Sequence, residues 1–527
     1  MITKNMKTRR QEDKETRQHI RNAWTSVLYS CILVFSSSIT FTSCNDWLDV
    51  KSETEAKEQD LFEKKNGFKE ALTGIYMTLA DQDAYGEKLT MTTTEELACL
   101  WYCDDFDYNP DFYYLRRHDY QNDYAKDNLK AVYSKLFYAI TQANVLLKNI
   151  EDHGEALDDD PSLKALLQGE AFAIRAYCQL DILRLFGQLP NGKGSRQVRL
   201  PYSSTTTIDE IPPYYSFEDY VAHLRQDIDN ALQDLLVVDP VKDYTLSQLN
   251  YPSQVSLDDT YFYYRRSRLN YWAVMALRAR LNLYVGDTES AHSDALAVIN
   301  GKVGDGSPVA TLNTVNDFSE SSPIPSNLMA PSECLFALSK YNLYTYTNTL
   351  FIGNSGTQIV PNRDLVLSQE MFNLLFQGTN TAANNRYLRQ WNRTAKDNKA
   401  VVYSALLKYY RNTTNDQTSL TENLIIPMLR LSEMYLIAME TASSVSEANA
   451  LYATYMRDRN VLIETDAFTT MDEVRAEVLN EYRRELIAEG QVFFTYKRLF
   501  LTSIPWQEEP MTESAYIIPL PDTEYEN

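Results

Sequence analysis

Glycine, histidine and cysteine are scarce in this sequence. Its 527 residues include only 16 Gly, 5 His and 6 Cys. The shortage of glycine argues against an all-β architecture, which needs many tight turns. No histidine pair has the i,i+4 spacing of a zinc-binding helix, and the sequence lacks a P-loop, a dinucleotide-binding fingerprint and a Gly-x-Ser-x-Gly nucleophile elbow. We therefore expect no cofactor and no enzymatic activity.

Basic residues are outnumbered as well. The 50 Lys and Arg stand against 72 Asp and Glu, which gives a formal charge of −22. Nucleic-acid binding needs clustered Lys and Arg to neutralise phosphates, so the charge balance argues against a nucleic-acid partner. Aromatic residues are plentiful instead, with 37 Tyr, 20 Phe and 6 Trp. This bulk supports a large core and excludes a disordered chain.

The N-terminus has the pattern of a secretory signal. A basic segment, residues 1–22, precedes an apolar and small-residue stretch, Ala23–Phe41, which is followed by Thr42-Ser43-Cys44. The cysteine after small residues resembles a bacterial lipobox, in which Cys44 would be acylated. The alternative is a single N-terminal membrane anchor. We predict a lipoprotein signal peptide at 1–43, a single domain at 44–527, and membrane attachment through lipid alone.

The remaining cysteines do not indicate a metal site or a disulfide framework. Cys99 and Cys103 are four residues apart, but zinc would need two more ligands and only His118 is close in sequence. Cys178 and Cys334 lie among apolar neighbours and are predicted to be small buried hydrophobic residues. A disulfide between Cys99 and Cys103 is possible, although not favoured.

Hydrophobic periodicity predicts a mainly α protein with long irregular loops that contain short strands. Asp160, Pro161 and Gly187 mark the two ends of one helix. Two helix pairs, at 269–299 and 431–459, resemble tetratricopeptide units. The predicted helices are 61–80, 125–150, 161–185, 217–236, 269–284, 289–299, 431–442, 446–459 and 471–489.

Two acidic pairs are the only candidates for hydrolytic chemistry. Glu95-Glu96 and Asp104-Asp105 could serve as the carboxylates of a glycosidase. A solvated acidic surface is the simpler interpretation in a chain with so many carboxylates.

Clusters of aromatic residues among polar ones are more unusual. Flat aromatic faces beside hydrogen-bonding groups suit sugar rings, which have apolar faces and polar rims. The alternative is that each cluster packs onto the helical core. For Trp101 in particular, burial decides between these interpretations. The candidate ligand-binding residues are Trp101, Tyr102, Tyr108, Tyr341, Tyr344, Tyr346 and Trp391.

An ordered set of motifs extends over most of the chain after Cys44. Its members are Cys44–Val50, Ala71–Tyr76, Gly169–Tyr177, Leu183–Pro190, Pro427–Leu436, Arg484–Leu486 with Glu489-Gly490, and Tyr516–Pro521. In this set the chain resembles the SusD/RagB nutrient-binding lipoproteins of Bacteroidetes outer membranes.

The resemblance implies a SusD-like helical fold with tetratricopeptide-like pairs. It also implies a non-enzymatic protein on the outer face of the outer membrane, which captures an oligosaccharide or another nutrient for a SusC-like TonB-dependent transporter. The alternatives are a surface glycan hydrolase and a lipoprotein for peptide uptake or adhesion. No motif of the family fixes the ligand-binding residues, so those above follow from their region alone.

The C-terminal motif leads to one further expectation. Glu485 and Glu489 are four residues apart on a predicted helix. We expect at least one of them to bond across to another element, with Arg430 as a candidate partner. The alternative is that these charges are solvated and contribute little.

Overall fold

The structure is a computed structural model that describes residue 58 and residues 60–104, 109–207, 210–314, 328–351, 358–410, 424–463, 466–507 and 509–524. Its contacts divide the chain after Gly67, and the account below concerns the second unit, Phe68–Asn527. The predicted signal peptide, Cys44 and Tyr108 lie outside the described residues. The cleavage site and the boundary at residue 44 therefore stay predictions.

Helices dominate the described part of the chain, which confirms the mainly α prediction. In chain order they are α1 (Lys65–Leu79), α2 (Thr93–Leu97), α3 (Pro110–Arg116), α4 (Asp123–Asp152), α5 (Pro161–Phe186), α6 (Phe217–Val238), α7 (Leu246–Asn250), α8 (Tyr271–Val285), α9 (Thr288–Ile299), α10 (Tyr344–Phe351), α11 (Gln369–Leu375), α12 (Asn385–Arg389), α13 (Leu431–Glu440), α14 (Val445–Arg457), α15 (Met471–Glu485), α16 (Val492–Leu499) and α17 (Glu513–Tyr516).

The described residues also contain eight short strands. They are β1 (Leu200–Pro201), β2 (Tyr214–Tyr215), β3 (Cys334–Ser339), β4 (Gln358–Ile359), β5 (Val366–Ser368), β6 (Trp391–Asp397), β7 (Val402–Leu406) and β8 (Ile425–Arg430). β3 pairs with β8 in antiparallel register, from Cys334 opposite Arg430 to Ser339 opposite Ile425. A separate four-stranded sheet has the order β4-β6-β7-β5, and β1 pairs with β2.

Local sequence signals set the boundaries of the central helix α5. The Asp160 side chain accepts a hydrogen bond from the Leu163 amide at 3.0 Å, Pro161 occupies the first turn, and Gly187 ends the helix. α5 packs between α4 and α6 and is buried around most of its circumference. A helix with apolar and small residues on every side is stable only in such a buried position.

The two predicted helix pairs are also present. Gly286 ends α8 in the left-handed conformation (φ 83°), and Asp287 then caps α9. Ser444 caps α14 in the second pair, α13–α14. α9 packs against α13. The pairs therefore stack on each other, as tetratricopeptide-like units do.

The C-terminal region differs from its prediction. A capping box between Thr470 and Glu473 starts α15 as expected, but the helix ends at Glu485 instead of Glu489. Ala488 and Gly490 have φ values of 63° and 73°, which no α-helix tolerates. A further helix, α16, follows this turn and was not predicted. A Cβ on Gly490 would lie 1.9 Å from the Leu89 carbonyl oxygen, so only glycine fits there.

A buried ionic network joins β8 to this C-terminal region and confirms the expectation for Arg430. Its guanidinium contacts Glu485 at 2.7 Å, Glu489 at 2.8 Å and Glu333 at 2.9 Å. Arg459 approaches Glu485 at 3.2 Å. Burial alone would raise the pKa of Glu485, but Arg459 and Arg430 outweigh it and hold that pKa well below its usual value. The network thus retains its charges inside the protein.

The four described cysteines are buried and outside any disulfide, which confirms the predictions for Cys178 and Cys334. Cys99 and Cys103 form no disulfide. His118 does not complete a metal site with them, because its Nε2 lies 2.9 Å from the Leu97 carbonyl oxygen. Among the described residues, no group of three His, Cys, Asp or Glu side chains could hold a metal ion.

Candidate ligand-binding surface

Trp101 is a core residue, so its predicted role as a ligand-stacking ring is wrong. Its side chain is 0% exposed, and its indole Nε1 donates a hydrogen bond to the Met91 carbonyl at 2.8 Å. The Phe351 ring meets it edge-on at a centroid distance of 5.8 Å. A fully buried ring has no face accessible to a sugar. The alternative interpretation, local packing onto the core, is the correct one for Trp101.

Tyr102 lies beside it at the margin of the four-stranded sheet. Its amide donates to the Val366 carbonyl at 2.9 Å, and its half-buried ring meets Tyr403 edge-on at 5.5 Å. Burial and the neighbouring Asp104 carboxylate raise the pKa of the Tyr102 phenol above its usual value. The phenol therefore keeps its proton at neutral pH and remains a hydrogen-bond donor.

Arg116 fixes the backbone that presents Tyr102. Its Nη1 donates to the carbonyls of Cys99 at 3.0 Å and Trp101 at 2.6 Å, and its Nη2 donates to Trp506 at 2.8 Å. On the other side, the Asp104 amide donates to the Asn362 side chain at 2.8 Å. The segment 99–104 is thus held at both ends, with exposed Asp104 next to Tyr102.

The second predicted cluster lies on and before α10. Tyr341 is 88% exposed, whereas Tyr344 and Tyr346 are half-buried. The Tyr346 hydroxyl donates to the Gly86 carbonyl at 2.5 Å. Burial, together with Glu87 and Asp81, raises the pKa of Tyr346 above its usual value. Tyr341 therefore offers the free ring of this cluster, and Tyr346 anchors α10 to the loop after α1.

Buried residues at the end of α10 connect these two clusters. Phe351, at the end of α10, contacts Trp101 and stacks on Tyr409 at 5.5 Å. The Leu365 amide donates to the Leu350 carbonyl at 2.6 Å, which joins α10 to the segment before β5. Trp101 is therefore part of the buried packing that connects the two clusters. We call the exposed and half-buried members of the two clusters the loop surface: Tyr102, Asp104, Tyr341, Tyr344 and Tyr346.

Trp391 does not belong to the loop surface. It begins β6 with only 4% of its side chain exposed, and its ring meets Phe372 at 5.3 Å. Its predicted role in ligand binding is wrong, because the inward positions of a strand pack on the core. The prediction for Tyr108 falls outside the described residues.

The acidic pair Glu95-Glu96 is buried, so it offers a sugar no accessible carboxylates. Glu95 accepts hydrogen bonds from the amides of Ala488 at 2.8 Å and Gly490 at 3.0 Å, and thereby stabilises the left-handed turn after α15. Burial raises the pKa of Glu95 and of Glu96 to about 8. Glu96 Oε2 has no hydrogen-bond partner among the described residues. Of the other pair, Asp104 is exposed and Asp105 lies outside the described residues.

A second group of aromatic residues, exposed at Tyr124 and half-buried at Tyr113 and Tyr114, was not among the predicted site residues. The rings of Tyr114 and Tyr124 are parallel within 4° at a centroid distance of 6.3 Å, and Tyr113 meets Tyr114 edge-on. The Arg117 guanidinium lies 3.5 Å from the centre of the Tyr113 ring. Tyr124 falls outside the apolar stripe of α4. This off-stripe position is the sequence signal from which its exposure could have been predicted. Tyr138 falls outside that stripe as well, so the signal is not specific.

Comparisons with known proteins agree with this architecture. The model of the family described as the SusD family matches residues 346–525, and the model described as "Starch-binding associating with outer membrane" matches residues 46–283. A search of curated proteins finds no match. Within the described residues, no helix has the length and apolar character that crossing a membrane requires.

Solved structures of low sequence identity share the fold. A SusD superfamily protein from Bacteroides thetaiotaomicron is 20% identical with a TM-score of 0.63, over 88% of this chain and 98% of that one. A putative sugar binding protein from Bacteroides vulgatus is 20% identical, with a TM-score of 0.60 over 88% and 96%. Surface glycan-binding protein A from Bacteroides uniformis is 18% identical, with a TM-score of 0.61 over 88% and 97%. Because two family models match the chain, over residues 46–283 and 346–525, the chain belongs to the SusD/RagB family.

Proposed function

We propose that this protein is a lipid-anchored binding protein of the cell surface, which captures an oligosaccharide and delivers it to a SusC-like TonB-dependent transporter. The loop surface is the observation that carries the proposal. It comprises the exposed ring of Tyr341 and, connected to α10 through the buried contact of Trp101 with Phe351, the phenol of Tyr102 and the carboxylate of Asp104. An aromatic face with donors and acceptors nearby matches the apolar face and hydroxyl rim of a sugar ring.

The rigidity of the segment 99–104 supports binding. Arg116 and Asn362 hold its backbone in place before any ligand arrives. A preformed segment loses less conformational entropy on binding than a mobile one. Tyr341 differs, because its ring is almost fully exposed and gains most from contact with a ligand.

Calorimetric titration with a panel of neutral oligosaccharides and one peptide tests this proposal. Tyr341→Ala and Tyr102→Ala should each weaken oligosaccharide binding about fivefold, the equivalent of ~1 kcal/mol for one stacked ring. Tyr138→Ala is the matched control, because Tyr138 is an exposed tyrosine on α4, away from the loop surface. Equal binding by all variants, or binding of the peptide alone, would contradict the proposal.

Delivery and anchoring need separate experiments. The family description mentions association with the outer membrane, and Cys44 is the proposed point of acylation. Purification of the lipid-bearing protein from outer membranes should recover a TonB-dependent transporter in a stable complex. Recovery of the protein alone under conditions that preserve membrane complexes would remove the transporter from the proposal.

A surface glycan hydrolase is the competing function. It would need two carboxylates on either side of a glycosidic bond, one of them with a raised pKa. Glu95 and Glu96 have raised pKa values, but their side chains are buried. Prolonged incubation with any oligosaccharide that the protein binds should therefore release no new reducing ends. Release that depends on Asp104 would favour the hydrolase.

A further inference from the structure

A groove runs between the start of α4 and the C-terminal tail, and its lining shares no residue with the loop surface. Its volume is about 470 Å³, within the ~300–1,000 Å³ typical of small-ligand sites. Leu129, Pro519 and Leu520 contribute apolar surface to it, and Asp127 and Lys130 are exposed polar residues along it. Apolar surface bordered by donors and acceptors is suited to a ligand with flat apolar faces and many hydroxyl groups.

The groove continues into a second depression of about 400 Å³. The two share Tyr120, Gln121 and Pro519, so they adjoin each other, and we call the pair the trench. The Tyr120 hydroxyl donates to the Ala515 carbonyl at 2.6 Å, which fixes the start of α4 against the tail. A preformed trench of this kind accommodates an elongated ligand better than a single small ring.

The charges along the trench are mixed and compensate each other. Lys126 lies 3.6 Å from Asp522, and Asp123 and Asp127 are on the same stretch of helix as Lys130. No single sign dominates, and the whole chain carries a formal charge of −22. A strongly anionic or cationic polymer would find no matching field here. A neutral ligand that exchanges hydrogen bonds with both signs fits better.

A row of tyrosines adjoins two residues that line the trench, Asp123 and Arg117. Tyr124, one residue from Asp123, is 57% exposed and lies parallel to Tyr114. Arg117 lines the second depression and also covers the Tyr113 ring. Exposed rings are unfavourable in water unless a partner covers them, and sugar faces stack on such rings.

We propose that this trench is a second oligosaccharide site, which binds a neutral glycan chain independently of the loop surface. Its ligand class rests on the proposed function. The two sites share no residue, so each can be altered without the other. A glycan long enough to span both sites would contact both. Two weak contacts on one polymer raise the total affinity above that of either alone, provided that the chain can span them.

Fluorine NMR at the trench gives a direct test. Gln121 is exposed and common to both depressions, so Gln121→Cys can carry a trifluoromethyl probe while the four described native cysteines stay buried. Maltohexaose, cellohexaose, xylohexaose and mannohexaose are added separately to the mature protein. We expect a shift of the fluorine signal with at least one of them. Tyr124→Ala should weaken that response about fivefold.

The controls separate this inference from the proposed function. Tyr138→Ala is a matched control, because Tyr138 is also 57% exposed and also on α4, and it should leave the response unchanged. The response should survive Tyr102→Ala combined with Tyr341→Ala. If no hexasaccharide shifts the fluorine signal, or if the shift is unaffected by Tyr124→Ala, the proposal of a glycan site in the trench is refuted. If calorimetry then still detects binding through Tyr341, the loop surface stands alone; a responsive trench without any effect of Tyr341→Ala refutes the loop surface instead.

Discussion

Replacement of Trp101 by alanine distinguishes a structural residue from a ligand contact. The side chain is fully buried between the loop before α2 and the end of α10. Truncation of a buried tryptophan to alanine costs ~3–5 kcal/mol, because packing is lost and a cavity remains. The loss of the hydrogen bond to Met91 lies within that range, since a net hydrogen bond contributes only ~1 kcal/mol.

Such a loss is large relative to the whole stability of a protein. Native proteins are typically stable by only ~5–15 kcal/mol. Trp101→Ala should therefore lower the free energy of unfolding by ~4 kcal/mol in urea titrations followed by circular dichroism. Trp101→Phe keeps most of the ring volume and should cost far less. Any loss of binding in Trp101→Ala should accompany this destabilisation.

Replacement of the exposed Tyr341 should affect ligand binding but not stability. Its removal should change the free energy of unfolding by less than ~0.5 kcal/mol, because it is almost entirely in solvent. It should weaken ligand binding nonetheless. A Trp101→Ala variant within ~1 kcal/mol of the original protein, with binding abolished, would refute the assignment of Trp101 to the core.

Three other predictions concern charge and anchoring. Arg430→Met should cost ~3–5 kcal/mol because it removes the buried ion-pair contacts of Arg430 with Glu333, Glu485 and Glu489, whereas Arg475→Met, at an exposed pair, should cost less than ~1 kcal/mol; urea titration measures both. Glu96 has a folded pKa of about 8, above its unfolded value, so its contribution to stability falls as pH rises from about 4.5 to 8. Glu96→Gln should accordingly be near neutral at pH 5 and raise the melting temperature at pH 9, and an equal effect at both values would contradict the burial argument. Cys44→Ala should release the protein from membranes or leave it unprocessed, as fractionation will show; a correctly cleaved, membrane-bound variant would refute acylation.

The helices were predictable where the causes are local. Asp160, Pro161 and Gly187 set the ends of α5 through contacts within a few residues, so the sequence pattern was sufficient. The end of α15 was not predictable in this way. Glu95 accepts hydrogen bonds from the amides of the turn at Ala488–Gly490, almost four hundred residues further along the chain. The hydrophobic periodicity of the sequence continues through that turn, so it does not predict where the helix ends.

The site was predictable as a region but not residue by residue. Trp101 and Tyr102 are adjacent in sequence and equally aromatic, yet one is core and the other half-exposed. What separates them is Phe351, which contacts Trp101 from about 250 residues away. Burial of an aromatic side chain depends on such distant partners. Local composition alone therefore does not distinguish Trp101 from Tyr102. Tyr341 is exposed among polar neighbours, yet Tyr344 and Tyr346 in the same stretch are half-buried.

The buried network explains why the family resemblance predicted the fold better than the ligand. The segments that carry the resemblance near the C-terminus, Pro427–Leu436 and Arg484–Gly490, meet where Arg430 contacts Glu485 and Glu489. These residues hold β8 and the end of α15 together in the interior, where no ligand reaches them. The loop surface is built from other residues, such as Tyr102 and Tyr341, which no motif includes. The trench takes Pro519 and Leu520 from the tail motif, but its lining residues on α4 belong to no motif. A match to the motifs therefore specifies the scaffold, and the choice of ligand depends on surface residues that the scaffold leaves free to vary.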